Sequence, residues 1–185
     1  MAFTQSNMLD LGTQAPAFEL PDTVSGKIMS LEELKSDKAT VIMFLCNHCP
    51  YVIHVNEELV RLSADYQAKG VSFIGISSND VENYPQDGPE EMTKHAAAAG
   101  YNFPYLYDAS QEVAKAYDAA CTPDFYVFDG EGRLAYRGRL DDSRPKNDNP
   151  LTGADLRAAI DGVLAGAPLI EKQYPSGGCN IKWKR

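Results

Sequence analysis

An α/β fold with a mixed central sheet and helices on both of its faces is what this sequence predicts, on three observations. Apolar runs rich in β-formers alternate with stretches of helical periodicity, a turn-punctuated pair of strands follows near residue 130, and one more helical stretch closes the pattern. Strands separated by helices become parallel neighbours, whereas strands joined by a short turn become antiparallel ones, so the sheet contains both.

The elements follow in order. Ala15–Asp22 is extended and proline-limited, and reads as a segment packed against an edge of the domain. Ile28–Ser30 reads as a short strand, followed by a helical turn through Leu34. Thr40–Leu45 is apolar throughout, as a strand buried on both faces is. Pro50 suits the first turn of a helix, where its missing N–H costs nothing. Val52, Val55, Leu59, Leu62 and Tyr66 make one apolar stripe along that helix, and Gly70 is placed to cap it. Val71–Ser77 is a second buried strand, Asn79–Pro89 a polar loop, and Pro89–Ala99 a helix ending at Gly100. Tyr105–Tyr107 reads as a short strand and Ser110–Tyr117 as a short helix. Phe125–Phe128 and Leu134–Leu140 flank Asp129-Gly130-Glu131-Gly132, a strong hairpin signal. Thr152 and Asp155 have capping-box spacing ahead of a last helix whose core face is Leu156, Ile160 and Val163.

The 185 residues fit a single domain over 1–185, with an N-terminal extension over 1–30 and an irregular tail over 167–185. A chain of this length buries roughly 70% of its unfolded surface and needs no disulfide staples. Its four cysteines therefore read as chemistry or ligation. The net charge of -9 disfavours nucleic acid and anionic membranes as partners, and the basic end Lys182-Trp183-Lys184-Arg185 reads as a solvated terminus. No secretory signal and no apolar run of about 20 residues is visible, so the expected compartment is the cytoplasm.

Cys46-Asn47-His48-Cys49 is the strongest local signal. On a helical turn, positions i and i+3 share a face, so two sulfurs at this spacing can close a disulfide. At a strand-to-helix junction the first cysteine faces the unpaired N–H groups of the helix, which favours its thiolate, and a protonated His48 pushes the same way.

These pieces, with the Ala15–Asp22 segment, Ser78-Asn79-Asp80 and Cys121-Thr122-Pro123-Asp124-Phe125, resemble the thioredoxin-like superfamily in its redoxin branch, and the likeness runs from Leu11 to Arg185. The resemblance implies a three-layer α/β/α fold and a thiol-disulfide oxidoreductase without a cofactor. Cys46 is then the attacking thiolate, Cys49 the resolving one, and His48 and Asn47 the residues that tune them. It also implies that Pro123 is a cis residue and that Thr122 offers its backbone to an extended substrate strand; on the residues alone, Pro123 could equally be an ordinary trans proline. Two features depart from thioredoxins: no carboxylate lies on Thr40–Leu45, and Leu45 stands where a tryptophan precedes the motif. A dedicated partner fits better than a general-purpose role.

Cys121 and Cys179 are candidates for a second redox pair or a tether for the tail, against the plainer reading of two unpaired cysteines. The expected partner is a protein or small-molecule disulfide with an unidentified electron donor, acting on a monomer or homodimer. Three rival readings stand beside this one. A thiol peroxidase needs a Thr or Ser three residues before its attacking cysteine, and Met43 occupies that place for Cys46. A Zn or Cu module could use Cys46, Cys49 and His48 or Cys121, although no metal is the primary expectation. A fold retained for binding alone is the third.

Overall fold

The apolar run after residue 38 forms β4 (Ala39–Phe44), which is buried along its whole length at the centre of a five-stranded sheet. β5 (Ser72–Ser77) lies parallel to it on one side, and β6 (Tyr105–Tyr107) parallel to β5. On the other side β8 (Asp124–Asp129) runs antiparallel to β4, and β9 (Leu134–Gly138) closes the sheet as its hairpin partner. The predicted mixed sheet, with its parallel half and its antiparallel half, is the one observed. The structure is a computed structural model, and it describes residues 2–185.

Alternation along β4 divides the interior in two. Val41 and Met43 point to a core built with α2 (Pro50–Gln67), α3 (Pro89–Ala99) and α5 (Ala154–Leu164); Ile42 and Phe44 point to one built with α1 (Leu31–Leu34), α4 (Glu112–Ala116) and the hairpin of β2 (Glu19–Pro21) and β3 (Ile28–Ser30). This is the three-layer α/β/α arrangement. Among the described residues no helix is long and apolar enough to cross a membrane.

Several local expectations are revised. α2 begins at Pro50 with Cys49 as its N-cap in extended backbone (φ −74°, ψ 122°), so Cys46–Cys49 is not a helical turn. The cause is Pro50 itself, which disfavours helical backbone in the residue before it. Gly70 (φ +86°) lies beyond the cap of α2 at Ala68. The Thr152/Asp155 capping box does not form: Gly153 is the N-cap of α5, and the Asp141 carboxylate accepts from the Thr152 and Gly153 N–H groups at 2.8 and 2.6 Å. A complete capping box stands instead at Ser30 and Glu33 on α1. The polar loop over 79–89 contains a 3-10 turn at Pro85–Asp87.

The largest revision concerns the tail. Residues 177–180 form β10 (Gly177–Asn180), the middle strand of a second sheet in which β1 (Phe3–Gln5) lies on one side and β7 (Cys121–Thr122) on the other. Sequence patterning misses it because Gly177 and Gly178 carry no β-signal.

Candidate active site

The end of β4, the N-terminus of α2 and the loop between β7 and β8 converge on one point. The Thr122–Pro123 peptide bond is cis. Thr122 then faces both motif cysteines: its Oγ1 lies 3.4 Å from Cys46 Sγ, and its carbonyl oxygen accepts from Cys49 Sγ at 3.3 Å. Cys46 and Cys49 thus share Thr122 as a common neighbour. Both are buried, at 1% and 0% exposure.

The hydrogen bonds around the pair favour charge on the second cysteine of the motif. The Cys49 sulfur is held down to about 5, first by the hydrogen bond from Cys46, then by the thiol and N–H of Cys179 and the Val52 N–H in the first turn of α2. The Thr122 carbonyl, which accepts from Cys49 Sγ, favours the protonated form and opposes them. Cys46 is pushed well above the ordinary thiol range, because it holds the shared proton, is desolvated and faces the Asp87 carboxylate. The hydrogen bonds that converge on Cys49 thus favour charge on its sulfur. Pro50 places Cys49, not Cys46, at the N-cap, so the helix N-terminus acts on the second sulfur of the motif.

Asp87 is the functional residue that sequence reasoning missed. It is fully buried on the 3-10 turn and supplies the carboxylate that β4 lacks. Its oxygens accept from the Asn47 N–H at 2.9 Å and the Asn79 side-chain amide at 2.8 Å. His48 Nδ1 comes 2.7 Å from Asp87 Oδ2, off the hydrogen-bonding line, and its ring stacks on Tyr84. His48 thus answers to Asp87 before it answers to the sulfurs. Asn47 is a positioning residue, bonded by its side chain to Gln86 O and the Tyr105 hydroxyl. The only sequence signal for Asp87 was the nearby Ser78-Asn79-Asp80, of which Asn79 is the contact.

Ligating atoms of Cys46, His48 and Asp87 lie within 4.8 Å of one another. That differs from the set read in the sequence, because Asp87 replaces Cys49 and Cys121. Asp87 also accepts the bonds from Asn47 and Asn79, one to each oxygen, which fix the orientation of its carboxylate.

Two expectations about the cis-proline edge are corrected. Thr122 does not offer a vacant backbone edge: β10 fills it, with Cys179 directly opposite Thr122 and Asn180 opposite Cys121. Gly178 makes the approach possible, since a Cβ there would stand 2.0 Å from the Thr122 carbonyl oxygen. Cys121 and Cys179 are not brought together as a pair. They sit one register position apart and so face opposite sides of the small sheet, Cys121 toward the Pro123 carbonyl at 3.8 Å and Cys179 toward Cys49.

A second buried carboxylate, Asp124, follows the cis proline. It accepts from the Ser6 and Tyr126 hydroxyls, and burial raises it to about 7. His54 bonds Ser143, and His95 is partly buried against Tyr101 and Asn56.

With this geometry in place, three comparisons bear on kinship. A crystal structure of an uncharacterized conserved protein from Geobacillus kaustophilus is 61% identical, covers 100% of this chain and 97% of its own, and superposes with a TM-score of 0.98. The thioredoxin domain of a thiol-disulfide oxidoreductase from Bacteroides vulgatus shares the fold at a TM-score of 0.62 and 19% identity, over 82% of this chain and 99% of that one. A Mycobacterium tuberculosis protein named "Putative peroxiredoxin" is 28% identical over 116 residues, 63% of this chain and 68% of that one. The family model described as AhpC/TSA matches residues 11–137. The chain belongs to the AhpC/TSA family, in the redoxin branch of the thioredoxin-like superfamily.

Proposed function

We propose that this protein is a thiol-disulfide oxidoreductase whose working couple is Cys46–Cys49, with Cys49 carrying the charge in the reduced form. One observation carries the reading: two sulfurs in contact beside a cis-proline loop, one of them stabilised as a thiolate at the mouth of a long helix. Cys49 attacks a disulfide sulfur of the substrate, the substrate S–S bond breaks, and one substrate thiolate leaves. Cys46 then gives up its proton and attacks Cys49 Sγ, which releases the second thiol and leaves the internal disulfide. Asp87, beside Cys46, is the charged group placed to influence that proton.

A thiolate held near 5 stabilises the reduced couple. Any stabilisation of the thiolate in the reduced pair raises the potential of the couple. Equilibration of the purified protein with glutathione buffers reads this directly. The absence of a Cys46–Cys49 disulfide at every poise refutes the proposal, whereas a potential of about −270 mV assigns the reductase direction and one of about −120 to −180 mV the oxidase direction.

A second reading, thiol peroxidase, has one observation in its favour. With the charge on Cys49, the position three residues earlier is Cys46, which donates to the thiolate, and sulfurs this buried suit a very small substrate. Stopped-flow peroxide consumption far faster than that of a free thiol would favour it over disulfide exchange.

A further inference from the structure

We propose that Cys179 is a third redox thiol of this site, carried on a tail strand that lies where an extended substrate would lie, and that it takes Cys49 into an internal disulfide. The inference rests on the exchange chemistry proposed above and adds a participant to it.

An extended substrate would pair with the edge at Thr122 and present a sulfur beside it. β10 does this from within the chain. It pairs antiparallel with β7, and its residue opposite Thr122 is a cysteine. Paired residues in an antiparallel ladder project to the same face, so Cys179 shares the face on which the Thr122 hydroxyl meets Cys46. Cys179 is buried in the same cluster as Cys46 and Cys49, and Cys49 and Cys179 each shift the ionisation of the other.

The meeting is built in. Gly178 allows the strand to close on Thr122. Beyond it, Ile181 N–H bonds Ala120 O at 3.1 Å, and Lys182 N–H bonds Asn79 Oδ1 at 2.9 Å. Asn79 is the same side chain that holds Asp87, so tail and dithiol share one support. On the outer side, β1 covers β10 in register from Phe3–Cys179 to Gln5–Gly177. Cys179 is 5% exposed, the most open of the three sulfurs.

The chemistry balances with a disulfide such as oxidised glutathione as oxidant. The Cys49 thiolate attacks, the glutathione S–S bond breaks, and one glutathione leaves as thiolate. Cys179 then loses its proton and attacks Cys49 Sγ. The Cys49–Cys179 bond forms, and the second glutathione leaves as thiolate and takes up that proton. Two protein thiols are oxidised and one glutathione disulfide is reduced. Burial first and the Cys49 sulfur second hold the Cys179 proton in place; once Cys49 is in a mixed disulfide, the second of these is gone.

The test uses the full chain with Cys46→Ser, oxidised glutathione as probe, and peptide mapping by mass spectrometry under non-reducing conditions. The expected product is a Cys49–Cys179 linkage with two glutathiones released per chain. Cys46→Ser combined with Cys179→Ser should stop at Cys49–glutathione with one released. If Cys46→Ser alone stops there, with Cys179 still alkylated after denaturation, the proposal is overturned. In that case a Cys46–Cys49 disulfide in the wild type would leave the parent reading standing. If Cys46→Ser does not fold, Cys46→Ala with the same two outcomes decides. A linkage of Cys179 to Cys121 instead would also overturn the proposal.

Discussion

Removing the donor on Cys46 tests the central electrostatic claim, because the first cause of the low Cys49 value is the hydrogen bond from Cys46. A thiol held at about 5 is about 99% ionised at pH 7, whereas one near 8.5 is about 3% ionised. A hydrogen bond to a charged acceptor contributes roughly 1.5–3 kcal/mol, which corresponds to about 1–2 pKa units. Cys46→Ala should therefore move the Cys49 midpoint up to about 6–7, while Cys46→Ser, whose hydroxyl still donates, should hold it near 5. Thiolate absorbance at 240 nm is the suitable assay, since it requires no reagent to reach a buried sulfur. In these variants Cys49 titrates alone between pH 4 and 9, because burial pushes Cys179 up to about 12 and Cys121 higher still. A wild-type midpoint near 8.5, or a Cys46→Ala midpoint equal to that of the wild type, refutes the assignment of the thiolate to Cys49.

Three further outcomes follow from the geometry. Asp87→Asn removes a negative charge beside Cys46, so in a Cys49→Ser background the Cys46 thiol should titrate at lower pH; an unchanged or higher midpoint would count against the role given to Asp87. Asp124 is raised to about 7, so its contribution to stability is full below pH about 4 and is lost as pH rises through 7; urea unfolding of Asp124→Asn should lack that fall, and equal pH profiles for variant and wild type would contradict it. Gly178→Ala puts a methyl 2.0 Å from the Thr122 carbonyl oxygen, where only backbone could give way. It should lower stability by about 1–3 kcal/mol and expose Cys49 to iodoacetamide in the native state, and native-like stability with no gain in labelling would show that β10 does not guard the site.

The sequence by itself determined the secondary structure that builds the sheet. β6 and α3 have the bounds that periodicity and proline punctuation predict, and β4 and β8 differ from expectation by a residue or two at their ends. Local signals carry such elements, because a buried strand must be apolar along its length and a helix must repeat its apolar face. The dithiol was legible for the same reason: a Cys-x-x-Cys at a strand-to-helix junction is a pattern within one short segment.

Only the tertiary structure decided which donors surround each sulfur, which buried carboxylate stands beside the pair and what covers it. Pro50 shifts the N-cap by the length of the motif, a local cause whose effect on charge appears only once Cys46, Cys179 and Asp87 surround the pair. Asp87 lies 41 positions after Cys46 on a turn without periodicity, and β10 lies 55 residues beyond the Thr122 edge it fills. Contacts at such separations leave no local pattern. They depend on two backbones meeting closely, here because Gly178 has no side chain to keep Thr122 away.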